Sequence, residues 1–562
     1  MKRLFSILLV LIILASLISC SNNENKDDGD SYESITLEKT DEEMFTDRDL
    51  SSYEKTDEAK EISLSDDKIS TQGGGISVNS SVVTISEGGT YYVSGGLSDG
   101  MIIVDAPDTE KIQLVLNNVS IKSESSSPIY IKSCNKTFIT VNSTENKLSN
   151  GGIYTQIDEN NIDGVIFSKE DLTVNGSGGL TIEASVGNGI VCKDDLVIAN
   201  LSLDINCGNH GLDANNSVRI KDASIKIASQ NDGLHAEHSE NEELGYIYIS
   251  SGQIEISSLG DGFDASSNIQ IVNGNIKIEA SQNETGNSNK GIKADGCIQI
   301  ENGEITVISQ DDSIHSNTQI NIMGGKINLT TNDDGIHADE ILNIEDGEID
   351  IIKSYEGLEA HTININGGKI VLNSTDDGIN AAGGNDQSGF GGEFGGDNFQ
   401  RPNRPGAPNG MGGGGMASGS SDGSITINNG EIYINASGDG IDANGTLLIT
   451  GGYTVVCGPT QGDTAVLDYD VSGIITGGTF IGTGSYMMAQ TLTGENQGVY
   501  SVSTGNQQAG TRITLSDLNG NIIFDYTPNL SYAIVILTSE DIVKGESYTI
   551  TVGDLSGTFE AQ

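Results

Sequence analysis

The stretch Asp333-Asp334-Gly335-Ile336-His337-Ala338 contains a short phrase that recurs along much of this 562-residue chain. The phrase is an acidic or small residue, then Gly, an apolar Ile or Leu, a variable residue and Ala. Its Gly recurs at steps of 21, 22 or 29 residues, and once after 62 residues. A fixed period in this range predicts a solenoid, with the longer steps carrying loops or an insertion. The phrase positions are Gly189, Gly211, Gly233, Gly262, Gly291, Ser313 in place of Gly, Gly335, Gly357, Gly378, Gly440 and a degenerate copy at Ala465.

One period, from Gly335 to Glu356, contains three short apolar runs that are rich in Ile and bounded by Gly, Asn and Asp. Such runs are typical of strands, and none has helical spacing long enough for an amphipathic helix. The sequence therefore predicts an all-β chain in which each period of about 22 residues wraps one coil of a parallel β-helix. Coils would stack about 4.8 Å apart, and parallel crossovers favour the right-handed form.

The first residues have the pattern of a lipoprotein signal peptide, which we assign to residues 1–19. Lys2 and Arg3 precede an apolar run, and Leu17-Ile18-Ser19-Cys20 is similar to a bacterial lipobox. We therefore expect acylation of Cys20 and an extracytoplasmic protein on the cell surface that touches the membrane through its lipid anchor only. The alternative is an ordinary secretory signal with a chance Cys. Residues 20–69 are polar and acidic, which predicts a flexible stalk.

The rest of the chain divides around the repeats. Residues 70–185 keep strand patterning without the phrase, which indicates an N-terminal cap and irregular first coils, since a solenoid needs its open end covered. Residues 186–485 form the repeat region. It is interrupted at 383–423 by a Gly-rich insertion, which we expect to be disordered. Residues 486–562 lose the phrase and predict a C-terminal β cap.

Composition limits the partners. The formal net charge is −52, from 80 acidic and 28 basic residues, which argues against direct binding to nucleic acid or anionic membranes. Repulsion on this scale calls for cations, and calcium is the expected cofactor in an extracellular setting. Beyond Cys20 the chain has five cysteines, an odd number that gives no disulfide framework and favours core thiols.

Acidic residues at the phrase predict metal sites. We define the corner ladder as the residues immediately before each phrase Gly. Stacking would bring its carboxylates together, and calcium takes six to eight oxygen ligands. The alternative is that Asp-Gly simply makes a good turn. The candidate metal ligands are Asp311, Asp312, Asp333 and Asp334 with Asp339 nearby, a second cluster of Asp376 and Asp377, and the single acids Asp261 and Asp439.

We define the strand ladder as the residues two positions after each phrase Gly, which the strand alternation directs outward. Three of them, His235, His315 and His337, are histidines. Only His315 and His337 fall in successive coils, so a zinc site there would need a third ligand and tetrahedral geometry. Lys293 is the one base among acids, so it is either a charge-balancing residue or the base of a lyase. The candidate sugar-binding residues of this ladder are Asp264, Lys293, His315, His337, Glu359 and Asn380.

Three features together resemble a known family. They are the Asp-Asp-Gly-Ile-x-Ala phrase at 333–338 and 376–381, the Gly-rich insertion after Ala381-Ala382-Gly383-Gly384, and the N-terminal runs at 89–95 and 114–119. They resemble the clostridial-type carbohydrate-binding domain family of secreted, often lipoprotein, pectate-lyase-like β-helices. The resemblance implies calcium at the acidic turns and cellulose or acidic sugar along a lateral face.

This chain departs from the family pattern at three positions. Ser313 and Ser316 replace Gly and Ala in one copy of the phrase, and Lys290 replaces the acid of another. These departures count against metal sites in the coils that contain them.

The leading functional hypothesis is a monomeric, non-catalytic surface protein that binds plant cell-wall polysaccharide through calcium, with polygalacturonate and cellulose as the candidate polymers. A calcium-dependent pectate lyase that uses Lys293 as its base is the first alternative. A structural adhesin that presents the Gly-rich insertion is the second.

Overall fold

A computed structural model describes residues 34–52, 58–280, 289–382, 423–459 and 464–562. The predicted signal peptide, Cys20 and nearly all of the Gly-rich insertion lie outside the described residues. The fold is all-β, as predicted, and its described residues include a single helix, α1, at Asp41–Met44. Within the same residues no helix has the length and apolar character needed to cross a membrane.

The strands fall into three groups along the chain. The N-terminal group comprises β1 Lys60–Leu64, β2 Ser70–Gln72, β3 Ile76–Asn79, β4 Val82–Ile85, β5 Gly89–Leu97, β6 Met101–Asp105, β7 Lys111–Ser123, β8 Ile129–Ser133, β9 Lys136–Val141, β10 Asn146–Asn150, β11 Gly164–Ser168, β12 Asp171–Gly176 and β13 Gly179–Ala184. The repeat region contains β14 Asn188–Cys192, β15 Asp195–Ala199, β16 Ser202–Cys207, β17 Leu212–Ala214, β18 Ser217–Lys221, β19 Ala223–Ser229, β20 Leu234–Ala236, β21 Tyr246–Ile249, β22 Gly252–Ser258, β23 Phe263–Ala265, β24 Ile269–Ile271, β25 Asn275–Ala280, β26 Ile292–Ala294, β27 Ile298–Ile300, β28 Glu304–Ser309, β29 Ile314–Ser316, β30 Gln319–Ile322, β31 Lys326–Thr330, β32 Ile336–Ile344, β33 Glu348–Ser354, β34 Leu358–Ile365, β35 Lys369–Ser374, β36 Ile379–Asn380, β37 Ser424–Ile427, β38 Glu431–Ala436, β39 Ile441–Ala443, β40 Thr446–Ile449, β41 Tyr453–Cys457, β42 Leu467–Tyr469, β43 Ser472–Ile475 and β44 Thr479–Gly484. The C-terminal group comprises β45 Thr493–Gly494, β46 Val499–Gln507, β47 Ile513–Ser516, β48 Ile522–Tyr526, β49 Tyr532–Thr538, β50 Ser547–Val552 and β51 Leu555–Glu560.

Each strand of the repeat region pairs in parallel with the equivalent strand of the next period, usually the third strand along. We call three successive strands a coil and each row of equivalent strands a ribbon. The first ribbon carries the phrase (for example β26, β29 and the start of β32), the second contains β27 and β30, and the third contains β28 and β31. Most of the described strands, 47 in all, belong to one sheet.

The coil interior is a stack of aliphatic side chains in register. Ile314 lies beside Ile336, which lies beside Leu358, and all three are fully buried. The five described cysteines are buried and free, as expected for core thiols. The phrase Gly is required by close approach, because a Cβ on Gly335 would lie 2.6 Å from the carbonyl oxygen of Gly357.

The ends of the chain close the sheet differently. β46 and β49 pair antiparallel, and β49 also pairs antiparallel with β44, the last parallel strand of the third ribbon. Strands β47, β48, β50 and β51 form a separate four-stranded antiparallel sheet. In the N-terminal group, β3 and β4 form an antiparallel pair, whereas β1 pairs in parallel with β5 and β4 with β6.

Residues 34–52, which we call the strap, lie along the outer face of the second ribbon. The backbone of Ile35 exchanges two hydrogen bonds of 2.8 Å with the side chain of Gln319. The backbone of Leu37 does the same with Gln299, at 2.9 and 2.8 Å. The side chain of Gln270 then donates to the carbonyl of Lys39. Amide side chains from successive coils therefore bind alternate residues of an extended segment.

The rest of the strap is anchored by apolar and charged contacts. Met44 and Phe45 are buried against Tyr246 and Tyr248 of β21. Further along, the buried carboxylate of Asp49 pairs with the ammonium of Lys136 at 2.9 Å. The interpretation of residues 20–69 as one flexible stalk is therefore wrong for 34–52, because these residues bury apolar side chains and satisfy their backbone on the sheet. It is also wrong for Lys60–Leu64, which forms strand β1 of the large sheet and buries Ile62 and Leu64.

We expect Phe45→Ala to loosen the strap without unfolding the coils. Burial of a Phe side chain contributes about 1.5–3 kcal/mol, so amide exchange at Ile35 and Leu37 should accelerate roughly ten- to hundredfold through local opening. Hydrogen exchange read by mass spectrometry measures this change. Tyr486→Ala, at a side chain that is 59% exposed, is the control and should leave strap protection unchanged. Unchanged protection in Phe45→Ala would mean that the strap does not depend on this contact.

Candidate functional site

Carboxylates of the corner ladder link one coil to the next by a hydrogen bond. One carboxylate oxygen of a corner acid accepts a backbone N–H from the corner residue of the next coil. Asp334 accepts from Glu356 at 3.0 Å, and Asp312 accepts from Asp334 at 3.1 Å. Asp232 and Asp261 do the same with Asp261 and Lys290, each at 2.8 Å. Each of these acids thus holds two coils together. The second oxygens of Asp261, Asp312 and Asp334 lie within 4 Å of strand-ladder side chains, whereas that of Asp232 lies 3.0 Å from Nδ1 of His210 in the corner ladder.

Lys290 interrupts the corner ladder and changes its chemistry. Its ammonium lies 2.7 Å from Asp311 Oδ1 and 2.8 Å from Asp312 Oδ2, and its side chain is only 6% exposed. Burial raises the pKa of Asp312, but Lys290 and the neighbouring imidazoles outweigh burial and hold it well below its usual range. A cation belonging to the chain therefore already neutralises two of the predicted metal ligands.

The strand register aligns the strand ladder as the sequence predicts. Asp264 lies opposite Lys293, Lys293 opposite His315, and His315 opposite His337. His337 in turn lies opposite Glu359. Asn380 and Asp442 continue the series.

The expectation that these side chains face solvent is wrong for most of them. His315, His337, Glu359 and Asn380 are all buried. Carboxylates of the corner ladder fold over the strand ladder, as Asp312 does over His315 at 2.8 Å. Buried side chains of this kind cannot contact a polymer, so only the part-exposed Asp264 and Lys293 retain that possibility.

Histidine rings pair at two places. The rings of His315 and His337 meet edge to face with centroids 4.9 Å apart. The rings of His210 and His235 stack at 4.3 Å, far from the first pair along the ladders. Sequence reasoning missed His210 because it considered only strand-ladder histidines, although His210 occupies the corner position before Gly211.

His337 is the least satisfied of the buried groups. Both of its ring nitrogens, together with Glu359 Oε2, have no hydrogen-bond partner among the described residues. Nδ1 lies 3.9 Å from both Asp334 Oδ2 and Glu359 Oε2, and 3.6 Å from Asp312 Oδ2. The predicted ligand Asp339 lies 3.6 Å from Nε2. The acidic cluster and the histidine ladder, predicted as separate features, therefore meet here.

Lys293 lies between two carboxylates. Its ammonium is 3.5 Å from Asp264 Oδ1 and 3.9 Å from Asp261 Oδ2. Both distances are within the range of an ion pair, so the ammonium is placed as a counter-ion to the two carboxylates. The geometry favours the charge-balancing interpretation over the catalytic one.

A further group of four acids offers only carboxylate oxygens as donors. Asp376, Asp377, Asp439 and Asp442 come from two adjacent coils. Burial, then neighbouring acids, raise the pKa of Asp377 to about 8 and that of Asp442 to about 7. The Asp377 pKa rises although its carboxylate accepts the Asp439 N–H at 2.5 Å. Crowded carboxylates of this kind fit the oxygen donor set of calcium.

An open depression lies at the corner between the second and third ribbons. Its volume is about 590 Å³, and its lining includes Lys369, Glu431, Tyr453 and four glycines. Two of these, Gly347 and Gly368, have φ of +119° and +83°, so the floor is bare backbone. Exposed charges of alternating sign lead to it along the third ribbon: Glu304, Lys326, Glu348, Lys369 and Glu431.

Comparison with known proteins identifies a family. A family model described as carbohydrate-binding domain-containing protein matches residues 79–335 and 322–463. A relative from Acetivibrio thermocellus with the same description is 36% identical over 141 residues, which cover 24% of this chain and 49% of the relative. The match thus spans about half of that relative's length.

A solved structure is also similar. It is described as the polysaccharide lyase-like protein from C. thermocellum, gadolinium derivative. The similarity has 32% sequence identity and a TM-score of 0.40, and it covers 43% of this chain and 96% of that one.

The ammonium of Lys290 should be essential to the stability of its coils. Lys290→Met leaves Asp312 buried without its main counter-charge, so we expect the free energy of unfolding to fall by about 3–5 kcal/mol. Urea denaturation measures the loss. Lys277→Met removes a lysine side chain that is 53% exposed and should change the free energy by no more than about 0.5 kcal/mol. Equal effects of the two substitutions would contradict the assigned role of Lys290.

The contribution of His235 to the free energy of unfolding should be lost as the pH rises into the alkaline range. Burial lowers its pKa, but the hydrogen bond and charge of Asp213, 3.0 Å from Nδ1, outweigh burial and raise the pKa to about 9. A folded-state pKa above the unfolded value of about 6.5 contributes stability that is full below about 6.5 and is lost as the pH rises through 9. The stability difference between the wild type and His235→Gln should therefore shrink from pH 6 to pH 10. His238→Gln is the control, and a difference that is independent of pH would contradict the assignment.

Proposed function

We propose that this chain, which belongs to the family of carbohydrate-binding domain-containing proteins, binds acidic cell-wall polysaccharide at the depression beside Lys369 and Tyr453, with calcium held by its acidic turns. The observation that carries the proposal is the family match, which spans residues 79–463 and therefore the coils that build the depression. Polygalacturonate is the preferred polymer, and cellulose is the neutral alternative.

The depression supplies the contacts that such a polymer requires. Lys369 offers an exposed ammonium to a uronate carboxylate, and Glu431 beside it offers an acceptor to sugar hydroxyls. Tyr453 lines the depression and offers a ring on which a pyranose ring can pack; its centroid lies 6.1 Å from that of Tyr433, which is outside the lining. The glycine floor allows the polymer to approach the backbone without meeting side chains.

Calcium is proposed for the oxygen-only cluster of Asp376, Asp377, Asp439 and Asp442. Divalent cations would offset the repulsion that raises the pKa values of Asp377 and Asp442. Calcium is a hard cation that takes carboxylate oxygens in flexible geometry. A protein with a net charge of −52 can hold an acidic polymer only where local bases or shared cations outweigh the repulsion.

The proposal also covers the fold, the lipid anchor and the lyase alternative. We infer that the coils form a right-handed parallel β-helix, since parallel pairing of equivalent strands at a fixed period favours this form. The lipobox-like sequence at Cys20 supports a lipid-anchored, extracytoplasmic monomer. A lyase that uses Lys293 is disfavoured by the two carboxylates that hold its ammonium.

A pull-down with polygalacturonate, with and without a calcium chelator, tests the proposal. We expect binding in calcium that is lost on chelation, and no rise in ultraviolet absorbance from unsaturated uronate products. Tyr453→Ala and Lys369→Ala should each weaken binding roughly fivefold or more, because anchor residues contribute above about 1 kcal/mol. Lys226→Ala, an exposed lysine on the same ribbon, is the control and should bind normally.

Other outcomes decide among the alternatives. Binding that persists in excess chelator would eliminate the role of calcium. An absorbance rise that Lys293→Ala abolishes would make the protein a lyase. Binding that is unchanged in both depression variants but lost on removal of residues 383–423 would favour the adhesin.

A further inference from the structure

His337, the buried histidine of the phrase at 333–338, supports an inference that does not depend on polysaccharide binding. We propose that Asp334, His337 and Glu359 form a binding site for one divalent transition-metal ion, with Zn²⁺ as its representative. The three residues come from two adjacent coils, and their donor atoms lie within 4.8 Å of one another.

The first argument is hydrogen bonding. His337 is 1% exposed and Glu359 is 3% exposed, yet both ring nitrogens of His337 and Oε2 of Glu359 have no hydrogen-bond partner in the described part of the chain. Buried polar groups are nearly always satisfied, because leaving one unmade costs about 1–3 kcal/mol. Two of these atoms, Nδ1 of His337 and Oε2 of Glu359, lie 3.9 Å apart, which indicates a shared ligand between them.

The second argument is spacing. Nδ1 of His337 lies 3.9 Å from Asp334 Oδ2 and 3.9 Å from Glu359 Oε2. These separations are too long for hydrogen bonds. They lie near the roughly 3.4 Å that separates two ligands of a tetrahedral ion with bonds of about 2.0–2.1 Å. Small side-chain adjustments would place all three donors on one ion.

The third argument explains why Asp312 and His315, although close to His337, are not part of the proposed metal site. Asp312 Oδ2 lies 3.6 Å from His337, but Lys290 and His315 each already bind this oxygen at 2.8 Å. Nε2 of His315 is bound as well, to Asn317 at 2.9 Å. Asp334 differs, because its Oδ1 accepts the Glu356 N–H and its Oδ2 faces His337. Asp312 and His315 therefore belong to the Lys290 ion pair, and Asp334, His337 and Glu359 remain for the metal.

The donor chemistry selects the class of ion. One imidazole with two carboxylates suits zinc and neighbouring first-row ions, whereas calcium prefers a set made of oxygens alone. A divalent ion would also neutralise the two buried carboxylates of the site. Because the donors are buried and join two coils, the ion would act as a structural clamp, with Asp339, whose side chain is 34% exposed, on the side open to solvent.

Zinc titration of the purified protein, after chelator treatment and dialysis, tests the proposal. We expect a tight site whose affinity falls in His337→Gln by at least the roughly 10–100-fold that loss of a second-shell partner costs. Glu359→Gln should show a fall of the same kind. It retains the shape of the side chain, so it keeps the test valid if His337→Gln fails to fold. X-ray absorption of the zinc-loaded protein should show a single imidazole among oxygen ligands.

Two comparisons keep the result specific to this site. The titration is repeated in His210→Gln/His235→Gln, which removes the other histidine pair, and one zinc per chain should remain. His361→Gln, on the same strand as Glu359, is the matched control and should bind zinc as the wild type does. Zinc should also raise the thermal midpoint of the wild type more than that of Glu359→Gln.

Three results would overturn the proposal. One is the absence of zinc binding in the His210→Gln/His235→Gln protein. Another is zinc affinity that is unchanged in both His337→Gln and Glu359→Gln. The third is displacement of zinc from this site by equimolar calcium, which would reassign the site to a hard cation.

Discussion

Parallel, in-register stacking of the coils is the constraint on which the rest of this structure depends. Each residue lies about 4.8 Å from its equivalent in the next coil, so any property of one position is repeated along a line. For apolar positions the repetition is favourable, as where Ile336 packs between Ile314 and Leu358. For acidic positions it brings like charges together in a buried setting, which costs free energy. The corner ladder therefore poses an electrostatic problem that the chain must solve coil by coil.

The solutions differ along the ladder and define its chemistry. Most corner acids gain a backbone N–H from the next coil, as Asp334 does from Glu356. Lys290 brings its own ammonium into the line. Where neither suffices, the carboxylates retain protons more tightly, and burial raises the pKa of Glu356 to about 9. A ladder that is partly capped, partly neutralised and partly crowded separates the positions proposed to bind metal from purely structural ones, although their sequences are almost the same.

The sequence predicted what depends on the period and missed what depends on side-chain packing in space. The interval between phrase glycines predicted the three-strand coil and the register that aligns His315, His337 and Glu359. Alternation along the strand directed these side chains away from the core, but it could not show that corner carboxylates would cover them. The strap was missed for a related reason. Its sequence has few apolar residues and therefore resembles a linker. Only the structure shows that Gln270, Gln299 and Gln319 align opposite its backbone.

These two packing features also determine which surface remains for a polymer. The outer side chains of the first ribbon are largely buried beneath the corner ladder. The outer face of the second ribbon is covered by the strap from Gln319 back to Lys136. The third ribbon keeps alternate side chains in solvent, as at Lys226 and Lys277. Its boundary with the second ribbon is a line of glycines whose backbone is accessible. Among the described surfaces, this glycine-lined corner combines exposed bases and acids with part-buried tyrosine rings. A long polymer bound there, as proposed, would displace none of the described residues.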